Sequence, residues 1–190
     1  TKVERTITIV DAATAMVDKG THRHFMAKEI FEQPEVISNT FGHYIDGARD
    51  TISMPEMAFN FQNINRITII ACGTAFYAGM VAKTWFERIS GIPTDLDIAS
   101  EFRYRQAPLD HNSLAIFVSQ SGETADTLAA LNYCKQHNVK TLAIVNVTQS
   151  SIDREADVSL PTFAGPEIGV ASTKAFSCQL AVLLSLSLYA

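Results

Sequence analysis

The apolar positions of this chain follow two patterns that change over near residue 56. Before it they are sparse. Residues 3–10 alternate polar and β-branched side chains, as a half-buried strand does. Residues 24–41 predict a polar helix, with Pro34 in the first turn of its second half, where proline is tolerated. The stretch 42–65 is irregular and holds Gly42, Gly47 and Pro55. A linker with a helical arm is therefore expected over 1–55, and a domain over 56–190.

The second pattern alternates short strand-like runs, most of them apolar on both faces, with stretches of helical period. Residues 67–71, 94–98, 114–118, 142–145 and 157–160 read as strands. Residues 75–90, 124–136 and 151–156 read as helices, and a last helix starts near Ser172. Gly91 and Pro93 stop the first of these. In 124–136, Ala125, Leu128, Ala129 and Leu131 are expected to face inward. Lys135 and His137 suit that helix's C-terminal dipole, and Asn138 can cap it. Strands buried on both faces and alternating with helices predict an α/β fold, a parallel sheet covered on both sides.

Composition sharpens this picture. Charged residues are 18% of the 190, against about 25% in an ordinary domain, and hydrophobic residues are 47%. Disorder is excluded, and a deeply buried sheet accounts for the low charge. A net charge of −5 without any Lys/Arg run speaks against a nucleic-acid surface. Cys72, Cys134 and Cys178 are too far apart for a CxxC pair and fit free thiols in a reducing cytosol. The first residues lack the basic start and apolar core of a signal peptide. The longest apolar run, 181–190, is broken by serines and is far short of the roughly 20 residues that span a bilayer. It reads as a buried helix with no closing residue, and no initiator Met precedes Thr1. The natural chain is therefore expected to continue on both sides.

Three segments carry chemistry. Ser119-Gln120-Ser121-Gly122-Glu123-Thr124 follows an apolar strand and precedes a helix. Ligands of parallel sheets sit at such strand ends, where a helix start offers unpaired N–H groups and the positive end of its dipole. Three hydroxyls and an amide add donors, and Gly122 lets the backbone turn. The loop matches neither GxxxxGK[ST] nor GxGxxG. A lysine-free cradle suits a phosphate monoester on a small metabolite. A plain helix N-cap at Ser121 explains one serine but leaves the other donors unexplained.

The loop Ala71-Cys72-Gly73-Thr74 has the same placement and alone reads as an ordinary strand-to-helix turn. Together, two such loops can face one ligand. In residues 165–174 (GPEIGVASTK), a capped loop and backbone contact with a ligand's polar end fit equally. Cys72 lacks a His partner for nucleophilic work. His22 and His24 lack a third metal ligand, so no metal or cofactor is expected. Glu29 and Glu32, one helical turn apart, read as a solvated face, and Arg103 and Arg105 as surface residues or anion contacts near a strand end.

The runs SQSGETADTL (119–128), ACGTAFYAG (71–79), GPEIGVASTKAF (165–176) and HFMAKEIFEQP (24–34) together resemble the isomerase half of the glutamine–fructose-6-phosphate aminotransferases, or glucosamine-6-phosphate synthases. The resemblance covers the chain from about His24 to its end. SQSGxT alone marks the wider class of sugar-isomerase (SIS) domains; the last two runs are more specific to the synthases.

The resemblance implies a three-layer α/β/α sandwich around a five-stranded parallel sheet. It implies a cytoplasmic, homodimeric enzyme with a glutaminase domain and two SIS domains. Such an enzyme makes glucosamine 6-phosphate from fructose 6-phosphate with glutamine-derived ammonia. Carried over, Ser119, Gln120, Ser121 and Thr124 would hold the sugar phosphate. Thr74, with the Cys72–Gly73 backbone, would line the same pocket, and Val170, Ala171 and Ser172 would touch the sugar. The family often reads CGTSYHAG where this chain has Ala75, Phe76 and Tyr77, so one hydroxyl beside the phosphate loop is missing. The glutaminase cysteine is absent, as are the Lys, Glu and His of the second SIS domain and tail. Binding without completed catalysis is expected. Two other homes for an SIS domain stay open on the residues alone: a sugar-phosphate sensor beside a DNA-binding module, and a stand-alone isomerase.

Overall fold

The computed structural model describes residues 18–190, and the strand expected over 3–10 lies outside them. The elements run α1 (Phe25–Tyr44), β1 (Ile45–Asp46), β2 (Thr51–Ile52), β3 (Arg66–Ala71), α2 (Gly73–Trp85), β4 (Thr94–Ile98) and α3 (Ala99–Phe102). They continue with β5 (Ser113–Ser119), α4 (Ala125–Gln136), β6 (Lys140–Val145), α5 (Ser151–Glu155), β7 (Val158–Pro161) and α6 (Lys174–Tyr189). The five strands expected from the pattern form one sheet in the order β4-β3-β5-β6-β7, parallel throughout. The short β1–β2 hairpin and α3 have no counterpart in the apolar pattern.

Side-chain alternation splits the sheet between two cores. Ile67, Ile69, Leu114, Ile116, Leu142 and Ile144 pack against α2 and α6. Ile70, Ala115, Phe117, Ala143 and Val145 pack against α3, α4 and α5. The expected three-layer α/β/α sandwich is the architecture found. Every residue of β5 is buried, as the middle strand of such a sheet requires. α2 ends in a π-helical turn over Phe86–Ser90, which Gly91 closes at φ 70°.

Helix α4 corrects the expected inward face. Its buried residues are Thr127, Ala130, Leu131 and Cys134, while Ala125 is exposed and Leu128 and Ala129 are half-buried. A stripe counted only over apolar residues passes over Thr127, which lies on the seam, and so comes out rotated. Asn138 closes the helix with φ 56°, as expected.

Helix α1 runs unbroken through Pro34. Proline has no N–H for the carbonyl four residues back. The Gln33 side-chain amide donates to that Ile30 carbonyl instead, at 3.1 Å. Glu29, Val36, Thr40 and Tyr44 form the buried stripe of α1. Thr40 donates to the Thr162 carbonyl at 2.6 Å, and Tyr44 donates to that of Pro161 at 2.7 Å. Val36 packs with Ala175 and Cys178 of α6. The solvated Glu29–Glu32 face is therefore overturned: that face docks on α6 and on the loop before it.

Candidate functional site

Strand order reverses between β3 and β5. From β3 the chain passes through α2 to β4 on one side; from β5 it passes through α4 to β6 on the other. In sheets wound this way the crevice lies outside the carboxyl ends of the two strands at the reversal. Ala71 and Val118 are register partners, so Cys72–Thr74 and Ser119–Ser121 leave the sheet side by side.

The loop 119–124 is tied down by its own side chains. The buried Ser119 hydroxyl accepts the Gly122 N–H at 3.1 Å and lies 3.1 Å from the Thr124 hydroxyl. Ser121 Oγ accepts the Glu123 N–H at 3.2 Å. Gly122 takes φ +66°, and an added Cβ would sit 1.9 Å from Ser150 Oγ. Helix α4 therefore starts after Thr124 and not after Ser121, and no side chain caps it. The Glu123 carboxylate turns away and accepts the Ser151 N–H at 2.7 Å. That interaction with Ser151 holds its pKa below the ordinary value.

Helix α2 follows Cys72, again without a side-chain cap. Two helix starts thus bring uncapped N–H groups to one place, each with the positive end of its dipole. The third helix start is different. Glu167 accepts from the N–H groups of Thr173 (2.8 Å) and Ala175 (3.2 Å) and from Ser172 Oγ (3.1 Å), and so closes the first turn of α6. Glu29 of α1 accepts the N–H groups of Ile168 at 2.6 Å and Gly169 at 3.0 Å. These two carboxylates shape the loop that carries Val170, Ala171 and Ser172.

The three loops enclose a cleft of about 230 Å³. Cys72, Thr74, Ser119, Gln120, Ser121, Thr124, Val170, Ala171 and Ser172 all line it, each singled out from the sequence. Gly73, at φ +58°, lies between two lining residues without itself lining the cleft. Ala75, named from the sequence only as a departure from the family's run, also lines it, as do Val118 and Gln179, which the sequence does not single out. Ala75 and Val118 adjoin the chosen loops. Gln179 sits on a largely apolar helix and carries no motif.

The lining holds no Lys, Arg, His, Asp or Glu. Lys174 is 2% exposed and bound to Glu32 at 2.7 Å. Arg103 pairs with Asp126 at 2.6 Å and Arg105 with Asp97, both outside the cleft. A larger depression, about 420 Å³, runs along β4 and the amino ends of β3 and β5. Four of its five charged side chains are paired, Arg66 with Asp95 at 2.5 Å and Arg105 with Asp97, and the fifth, Asp110, accepts from the Asn65 amide at 2.9 Å. Among the described residues no group of three or more His, Cys, Asp or Glu is placed to hold a metal ion, and His22 stacks on Phe31. All three cysteines are free; burial pushes the Cys134 thiol up to about 12 and raises that of Cys178. No helix among the described residues is long and apolar enough to cross a membrane.

The sheet, its switch point and the neutral polar cleft define a doubly wound α/β domain of the kind that binds at strand ends. Residues 60–189 match the SIS domain model, and the chain belongs to the SIS domain family. It is 61% identical over 180 residues to the glutamine–fructose-6-phosphate aminotransferase (isomerizing) of Bradyrhizobium diazoefficiens, covering 94% of this chain and 30% of that protein. It is 56% identical over 188 residues to the Brucella abortus protein of the same name, covering 99% and 31%. The chain thus spans under a third of the length of these curated relatives. Among solved structures, the C-terminal domain of glucosamine-fructose-6-phosphate aminotransferase from Francisella tularensis superposes with a TM-score of 0.84. There the identity is 45%, over 90% of this chain and 48% of that one. The resemblance read from the four sequence runs and the expected fold both hold.

Proposed function

We propose that the chain is the first SIS domain of a glutamine–fructose-6-phosphate aminotransferase, and that its cleft binds fructose 6-phosphate and glucosamine 6-phosphate. Residues 1–55 serve as linker and helical arm, and residues 56–190 as the domain. The observation that carries this reading is the cleft at the β3–β5 switch point, walled by Ser119, Gln120, Ser121 and Thr124 and open to two uncapped helix starts. Helix N-termini and hydroxyls favour a phosphate without a lysine. Val170, Ala171 and Ser172, on the loop held by Glu29 and Glu167, face the sugar.

The same wall limits what this chain does alone. Isomerisation of a ketose phosphate needs a base at the carbon beside the carbonyl. No carboxylate, imidazole or amine lines the cleft. The chain binds and orients the sugar phosphate, and the acid–base groups come from the second SIS domain and tail of the whole enzyme. A glutaminase domain supplies ammonia. The enzyme works as a cytoplasmic homodimer, without cofactor, metal, nucleic acid or membrane. A sensor domain of a transcriptional regulator, or a stand-alone isomerase, would use the same fold. The identities of 61% and 56% to aminotransferases favour the enzyme.

Calorimetric titration of the folded chain with fructose 6-phosphate and glucose 6-phosphate tests the reading. Saturable heat is expected for both. No heat at millimolar ligand overturns it.

A further inference from the structure

Gln179 is a polar side chain on a largely apolar helix, 2% exposed, and it forms part of the cleft wall. Its carbonyl oxygen Oε1 is buried without a hydrogen-bond partner, and its amide nitrogen makes no hydrogen bond either. A buried acceptor left unpaired lowers stability, and in a native fold such an atom calls for a partner or a function. On the sugar-phosphate reading the anion is served by Ser119, Ser121 and Thr124 and by the uncapped N–H groups at the starts of α2 and α4. Turned over about its last side-chain bond, the Gln179 amide brings its carbonyl oxygen to the cleft, where it repels a phosphate oxygen and accepts from a hydroxyl.

From this we infer that Gln179 is a specificity-determining residue that takes a hydroxyl of the sugar chain, apart from the phosphate. This rests on the sugar-phosphate reading of the cleft. The amide, with one acceptor and two donors, spans neighbouring hydroxyls of a polyol. It distinguishes a hydroxyl-bearing phosphate ester from a bare one, because binding the latter leaves the amide unpaired.

The test compares fructose 6-phosphate with methyl phosphate, which lacks the hydroxyls, on the chain as it stands and on Gln179→Met. Met keeps the length and removes both polar atoms. Fructose 6-phosphate is expected to bind about five- to tenfold more weakly to the variant, with methyl phosphate unchanged. The melting temperature should hold or rise, since an orphan acceptor is gone. Gln179→Asn, which retracts the amide by one methylene, should show the same selective loss. Equal affinity for the sugar phosphate in all three chains overturns the proposal, as does an equal loss for both ligands. Failure of both variants to fold overturns it as well, because the amide is then structural. If the unsubstituted chain binds neither ligand, the sugar-phosphate reading itself has failed. If it binds and the variants match it, only the role of Gln179 has.

Discussion

The carboxylate of Glu29 occupies the space that a side chain on Gly169 would need. An added Cβ would lie 2.5 Å from Glu29 Oε2, while Glu29 Oε1 accepts the Gly169 N–H at 3.0 Å. The contact joins the arm helix to the loop that carries the cleft residues Val170, Ala171 and Ser172, and Glu29 is 2% exposed. Gly169→Ala forces the carboxylate away from two N–H groups and should lower stability by about 2 kcal/mol. Glu29→Ala should cost a similar amount through the same two donors. Because both changes break one contact, the double variant should cost clearly less than the sum. Urea unfolding of the four chains measures the coupling, and strict additivity would show the contact to be unimportant.

Gly122 is fixed twice, by its left-handed backbone at φ +66° and by Ser150, whose Oγ and Cβ would lie 1.9 and 2.5 Å from an added Cβ. Gly122→Ala should destabilise the chain by about 3 kcal/mol or more. Adding Ser150→Gly removes the steric part only. About 1–2 kcal/mol should persist, the cost of a left-handed non-glycine residue. Full recovery on denaturant melts would mean that backbone strain contributes nothing there.

Burial at the α1–α6 seam raises the Glu32 pKa, but hydrogen bonds and charge from Lys174 and Lys28 outweigh it and hold it below the ordinary 4.5. A carboxylate with a depressed folded pKa stabilises the fold above its unfolded value, and the gain is lost as pH falls through the folded one. Glu32→Gln should therefore lower the melting temperature at neutral pH, where it leaves the Lys174 ammonium buried without its partner charge. The gap between the two chains should close as pH falls below 4.5. A gap that stays constant down to strongly acidic pH rules out this linkage.

Much of this architecture is written in the alternation of strand-like runs and helices, because a parallel sheet buried on both faces leaves long β-branched stretches such as 67–71 and 114–118. The loop 119–124 is legible for a related reason: its donors are contiguous, and Ser119 to Thr124 shape one another locally. The third loop is held only in part by its own Glu167; its other ties are not local. Glu29 and Ile168 are 139 residues apart, and Lys174 and Glu32 are 142 apart. On sequence alone, Glu29 and Glu32 look like one turn of any solvated helix. Gln179 is hidden the other way, since it is one of several scattered polar residues on a core helix and no spacing sets it apart.

Ala75 lines the cleft where the related synthases often carry a serine. The change removes one hydroxyl from the start of α2, in a cleft that Thr74, Ser119, Ser121 and Thr124 also line. Ala75→Ser should tighten fructose 6-phosphate by about three- to tenfold, the value of one hydrogen bond to a ligand. Fructose itself should change little. Titration of both ligands decides it: equal tightening for both would place the new hydroxyl against the sugar, and none would place it out of reach.

Ser121 and Thr124 have hydroxyls at the cleft with few internal obligations. Ser121 Oγ accepts one exposed N–H at 3.2 Å, and Thr124 Oγ1 lies 3.1 Å from Ser119 Oγ. Neither loss exposes a buried charge, so Ser121→Ala with Thr124→Ala should fold with little change in melting temperature. Each hydroxyl that meets a dianionic phosphate makes a charge-assisted hydrogen bond worth about 1.5–3 kcal/mol. Removing both should weaken fructose 6-phosphate by about a hundredfold or more. Fructose, held only through its hydroxyls, should lose far less. The ratio of the two affinities separates a phosphate cradle from a general weakening of the cleft. If the phosphorylated and unphosphorylated sugars lose affinity by the same factor, these hydroxyls do not read the phosphate.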